Sequence, residues 1–211
     1  MATTAPKTRD RAVTRQKWLT GATIGWNAVE GAVAIAAGIA AGSVSLIGFG
    51  LDSGIEVSAA LVLAWRLAQE RRTGCKQKVD KRAQRLIAAS LAVLALYVGV
   101  ESGRDLVLAD QPDASLIGIV IAALSLVVMP VLARAKRKLA PLIGSRAVEA
   151  EAKQTLLCAL LSGALLVGLS ANAALGWWWA DPLAGLFIAS LAGYETVSIW
   201  RADSLEDTCC G

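Results

Sequence analysis

The sequence predicts an all-α membrane protein of six transmembrane helices, with both termini cytoplasmic and no soluble domain. Three observations carry that expectation. Of the 211 residues, 55% are hydrophobic and 18% charged, and the mean hydropathy is +0.55; soluble domains carry about 25% charged residues. The apolar residues gather in six runs of about 20, the length that crosses a bilayer. Lys and Arg collect in alternate joints between those runs, and that asymmetry sets orientation.

Residues 1–17, MATTAPKTRDRAVTRQK, are polar and basic without an apolar signal core, and read as a cytoplasmic tail. The spans fall at roughly Trp18–Ala41, Ser43–Trp65, Leu86–Leu108, Ala114–Leu132, Ala152–Leu175 and Pro182–Trp200, within a membrane domain of residues 18–200. Their Ala, Leu, Val, Ile and Gly content suits close helix packing in lipid. Of the 21 Lys and Arg, five lie in the tail, eight in Arg66–Arg85 and six between Arg134 and Lys153. Arg201 follows the last span, and only Arg104 falls near the opposite side. Trp18, Trp65 and Trp200 mark one interface, and Trp177, Trp178 and Trp179 the other. Residues 201–211, RADSLEDTCCG, form a short cytoplasmic tail, too short to bury a core. The net charge of +4 is a topology signal and gives little reason to expect nucleic acid. Ala- and Arg-rich usage points to a bacterial cytoplasmic (inner) membrane.

Asp52 and Glu56 interrupt the second span. An acid at the centre of a membrane helix costs roughly 2.5–3.5 kcal/mol even on the lenient insertion scale. At i, i+4 both side chains share one face, with Cβ atoms about 6 Å apart. The fifth span carries a polar pair at the same spacing, Gln154 and Cys158. Spans two and five run antiparallel, so the pairs can face each other at compatible depth. Two carboxylates, a thiolate and an amide oxygen suffice for a four-coordinate metal cage. Each residue also has a plainer reading. Buried acids can form a hydrogen-bond network, a free Cys is often a small core hydrophobe, and amides link helices.

Asn27 and Glu30, about mid-depth or slightly inward in span one, and Glu151 at the start of span five are the accessory site candidates; Glu30 is either an accessory ligand or proton carrier, or a partner to a neighbouring helix. Gly50 and Gly54 form GxxxG, a close helix contact. Glu101, Arg104 and Asp105 read as an interfacial ion-pair cluster, and Glu195 as a snorkelling or loop-paired acid near the inner end of span six. Asp181–Pro182 caps and starts span six. Cys75, Cys158, Cys209 and Cys210 are not spaced as a disulfide framework. Cys209–Cys210 beside Glu206 and Asp207 could capture a soft or borderline metal ion.

The order of these features resembles the cation diffusion facilitator (cation efflux) family. The run AGSVSLIGFGLDS, with Asp52 and Glu56, matches that family's turn and acid pair in span two. SRAVEAEAKQTLLCALLS matches its span five, with Glu151 at the usual acidic position, Gln154 where His is expected and Cys158 where Asp is expected. WWWADPLAGLFIASLAGYE looks like its entry into span six. The resemblance covers about Trp18 to Trp200 and implies a short form without the family's cytoplasmic C-terminal domain, whose dimer would form through the membrane region.

The chain has no His, so the resemblance leaves the metal open. An Asp, Glu, Cys and Gln set suits Zn²⁺, Cd²⁺, Fe²⁺ or Co²⁺, whereas Mg²⁺ and Ca²⁺ prefer all-oxygen shells. The expected function is divalent heavy-metal efflux, with Zn²⁺ first, by alternating access and metal/proton antiport. A non-transporting metal sensor or scaffold, and a proton-coupled organic-cation antiporter, are the rival readings. Without His, a nucleotide loop or a nucleophile elbow, an enzyme is not expected, and no resident cofactor is implied.

Overall fold

Charged residues that end the apolar runs do not end the helices. In the computed structural model, which describes residues 6–69, 77–109, 111–143 and 146–206, six helices run past the apolar spans at many of their ends. They are α1 (Pro6–Ala41), α2 (Val44–Gln69), α3 (Gln77–Leu108), α4 (Leu116–Ile143), α5 (Arg146–Leu175) and α6 (Ala180–Glu206). Lys, Arg, Gln and Glu are good helix formers, so basic flanks such as RAKRK prolong a helix that hydropathy alone would stop. No strand occurs among the described residues. Three helices carry a described stretch long and apolar enough to cross a membrane: Arg11–Ala41, Leu116–Ile143 and Gln154–Leu175.

Local chemistry fixes the tight turns. Gly42 adopts φ 66°, and the Ser43 N–H returns to the Gly38 carbonyl at 3.0 Å, which closes α1 as a left-handed C-terminal cap needs. Ser43 then caps α2 by accepting from the Leu46 N–H at 3.2 Å, and Ser115 does the same for α4 through Gly118 at 3.1 Å. Gly176, at φ 65°, ends α5. The turns at 42–43, 111–115 and 176–179 meet at one end of the bundle. There the Asp113 N–H donates to Ala41 O at 2.8 Å, and Asn172 Nδ2 to Pro112 O at 2.9 Å.

Packing divides the six helices into two groups. α1 packs on α2 and α4, and α4 on α5; α3 and α6 pair and lie against α2 and α5. α2 therefore touches α1, α3, α5 and α6. The main core cluster (Leu46, Phe49, Met129, Leu165, Leu169 and Ile188 among others) fills the space between helices, while Leu96, Val107, Leu116, Val127 and Val167 point outward. The α1–α2 crossing is close because Gly31 and Gly50 lack side chains. A Cβ on Gly50 would stand 2.6 Å from Ile35 Cγ1 and 3.0 Å from Gly31 O. Gly54, the other half of the GxxxG pair, faces open space, so the motif serves helix contact at Gly50 alone.

Candidate metal centre

Because α2 is packed on several sides, polar residues on most of its circumference are taken out of water. Asp52, Ser53 and Glu56 are all buried. The helical spacing turns Glu56 toward α1, where Asn27 Nδ2 donates to its Oε2 at 2.6 Å. The Cys158 thiol of α5 also stands beside the Glu56 carboxylate. Asp52, one turn earlier, lines a narrow cleft with Gln154 of α5 and Glu195 of α6, walled by Leu91, Leu157, Leu161, Leu191 and Ala192. The cleft offers about 10 Å³ to the centre of a water-sized sphere, close to the space one water needs.

The four expected donors thus come together as two adjoining halves, Glu56 with Cys158 and Asp52 with Gln154. They are spread along facing helices, not gathered in one shell. Among the described residues no group of three His, Cys, Asp or Glu side chains is gathered closely enough to hold a metal ion. The donor chemistry nonetheless fits a cation. Asp52 Oδ2, Glu56 Oε1 and Asn27 Oδ1 are buried without a hydrogen-bond partner, a costly state for oxygens that could each accept one. An ionised carboxylate in such a place needs a compensating charge.

The structure adds residues that the sequence left in other roles. Glu195 is half-buried in the cleft with Asp52, not simply extended toward a loop. Lys136, counted above with a basic joint, is fully buried; its Nζ donates to Thr155 Oγ1 at 3.2 Å and its charge attracts Glu56. Glu30 is fully buried with both oxygens unpartnered, and Ser125 of α4 and Trp26 stand beside it without forming a hydrogen bond. Trp26 and Glu30 share the i, i+4 spacing of the two expected pairs, a signal available in the sequence. Nothing in the sequence distinguishes Ser125 from the other serines.

Asp181 does more than begin a helix. It lies in the first turn of α6, fully buried, and its Oδ1 accepts from Ser43 Oγ at 2.7 Å and from Ser45 Oγ. It ties the α1–α2 turn to α6. Glu101 and Arg104 form the expected ion pair at 3.4 Å, exposed on Arg104's side. Glu151 lies in α5, but its side chain is outside the described residues, as are Cys75 and the Cys209–Cys210 pair.

Residues 22–206 match the family model of the cation efflux transmembrane domain. Comparison with curated proteins finds no match.

Proposed function

Because the chain belongs to the cation efflux family, and is by that membership a membrane cation transporter, we propose that it exports a divalent heavy-metal ion in exchange for protons. Zn²⁺ is the first expected cargo, with Cd²⁺, Fe²⁺ and Co²⁺ as chemically related ones. The observation that carries this reading is the placement of Asp52 and Glu56 on buried α2. Each keeps one carboxylate oxygen without a partner, and Cys158 and Gln154 of α5 stand beside them.

The ligands are Asp52 and Glu56, with Cys158 as thiolate and Gln154 through its amide oxygen. A thiolate beside carboxylates favours borderline ions over hard ones. Asn27 orients Glu56 by its 2.6 Å hydrogen bond, the kind of outer contact that tunes a metal ligand. Lys136 offsets part of the acid charge when no cation is bound. The six helices span the membrane with both termini and both basic joints on the cytoplasmic face, in a bacterial inner membrane, and a second copy pairs through the membrane region.

Transport follows from competition at these ligands. Metal enters from the cytoplasm onto deprotonated donors. Movement of the α3–α6 pair against the other four helices opens the site to the far side, where protonation lowers metal affinity and releases the ion.

The test uses the full chain in liposomes holding a Zn²⁺-sensitive dye, with an imposed pH gradient. Wild-type protein is expected to move Zn²⁺, and Asp52→Ala combined with Glu56→Ala to reduce the rate to that of empty liposomes. Gradient-driven flux that survives the double substitution removes these two residues from the site.

A further inference from the structure

The cleft at the seam between the α3–α6 pair and the other helices contains more than the expected ligands. Its polar lining comes from three helices: Asp52 of α2, Gln154 of α5 and Glu195 of α6. The rest of its wall is leucine and alanine, a low-dielectric surround in which a carboxylate attracts a cation more strongly than in water. Burial increases along the polar residues. Glu195 and Gln154 are partly exposed, whereas Asp52 is 3% exposed and its Oδ2 has no partner. Asp52 and Glu195 thus bring two carboxylates to one apolar cleft. Like charges brought together at low dielectric are unfavourable unless a cation or proton joins them.

We propose that Glu195 is a further cation-binding residue, whose carboxylate captures a divalent metal ion in the α2–α3–α5–α6 cleft and passes it to Asp52. The proposal rests on the metal-transport reading above and extends it. Capture takes place among oxygen donors alone, two carboxylates and an amide. The sulfur donor of the proposed ligand set, Cys158, stands with Glu56 in the other half. The cleft therefore admits harder and borderline ions alike, and discrimination follows when the ion reaches the thiolate. Glu195 also lies on the helix pair that borders the seam, so relative movement of that pair changes the distance between the capturing carboxylate and Asp52.

The experiment compares full-length wild type, Glu195→Gln and Glu195→Asp. Initial rates of Zn²⁺ transport are measured against Zn²⁺ concentration in liposomes, and Zn²⁺ binding by equilibrium dialysis of the purified proteins. Glu195→Gln keeps the size of the side chain and removes its charge. It is expected to raise the half-saturating Zn²⁺ concentration about tenfold, the scale of effect of residues supporting a metal site, with the maximal rate within about twofold of wild type. Glu195→Asp is expected to recover most of the loss. An unchanged half-saturating concentration overturns the proposal, as does a fall in maximal rate alone. If wild type moves no Zn²⁺, the transport reading fails for that ion. Dialysis then decides the role of Glu195 separately: tenfold weaker Zn²⁺ binding by Glu195→Gln supports it, and equal binding overturns it.

Discussion

Asp52 and Glu56 are conspicuous because a charge inside an apolar run has no inexpensive explanation. Their neighbours are not. Cys158 reads equally well as core filler until its thiol is found beside Glu56. Its proposed role as a soft ligand makes a selective prediction: Cys158→Ser should weaken Cd²⁺ binding far more than Mn²⁺ binding, because a hydroxyl is a hard donor. Competition between the two ions at equilibrium measures it, and equal losses would place the thiol outside the shell. Asn27 enters the proposed site differently, holding Glu56 through its amide nitrogen. Asn27→Leu removes the 2.6 Å bond and should weaken Zn²⁺ binding about tenfold, in line with other outer contacts at metal sites. Dialysis of the variant checks it. Glu195 was legible as an acid but not as a site residue. An acid near the end of an apolar run can face solvent, a loop or the core, and only the rotation of α6 decides.

At the scale of elements, hydropathy located the helices and missed their ends. The basic segments that should stop a membrane span are good helix formers, so α3 begins at Gln77 and α6 continues to Glu206. The turns were better marked, since Gly42 and Ser43 form a stop and a start in adjacent positions. Pro130 within α4 removes the N–H that would bond the Leu126 carbonyl, and it separates the part of the helix beside Glu30 from the part carrying Lys136. The α1–α2 crossing gives the clearest prediction here. Gly50→Leu would drive a side chain into Ile35 and the Gly31 carbonyl. Backbone cannot yield as a flexible side chain does, and overpacking of this kind costs about 1–3 kcal/mol. A lower melting temperature in detergent is expected for Gly50→Leu. Gly54→Leu, whose Cβ meets no atom within 4 Å at an exposed position of α2, should melt near wild type.

For the whole molecule, the distribution of Lys and Arg predicts which face each joint occupies. In a chain with Cys209 and Cys210 changed to Ser, Cys75 should react with a membrane-impermeant maleimide only when the cytoplasmic face is opened. A Trp178→Cys substitution in the same background should react in intact cells. Labelling of Cys75 from outside would reverse the topology. The sequence by itself determined the helical class, the approximate positions of the helices, the basic asymmetry and the acid pair of α2, together with its counterpart at matching spacing on α5. Each of these is a local or periodic property, written in hydropathy, charge and i, i+4 spacing. Only the tertiary structure decided that Glu56 lies with Asn27 and Cys158 while Asp52 shares a cleft with Gln154 and Glu195, that Lys136 is buried, and that Asp181 binds the α1–α2 turn. Those outcomes depend on how far each helix is rotated and tilted against its neighbours. Packing of many side chains across the interfaces sets rotation and tilt, and no segment records them alone.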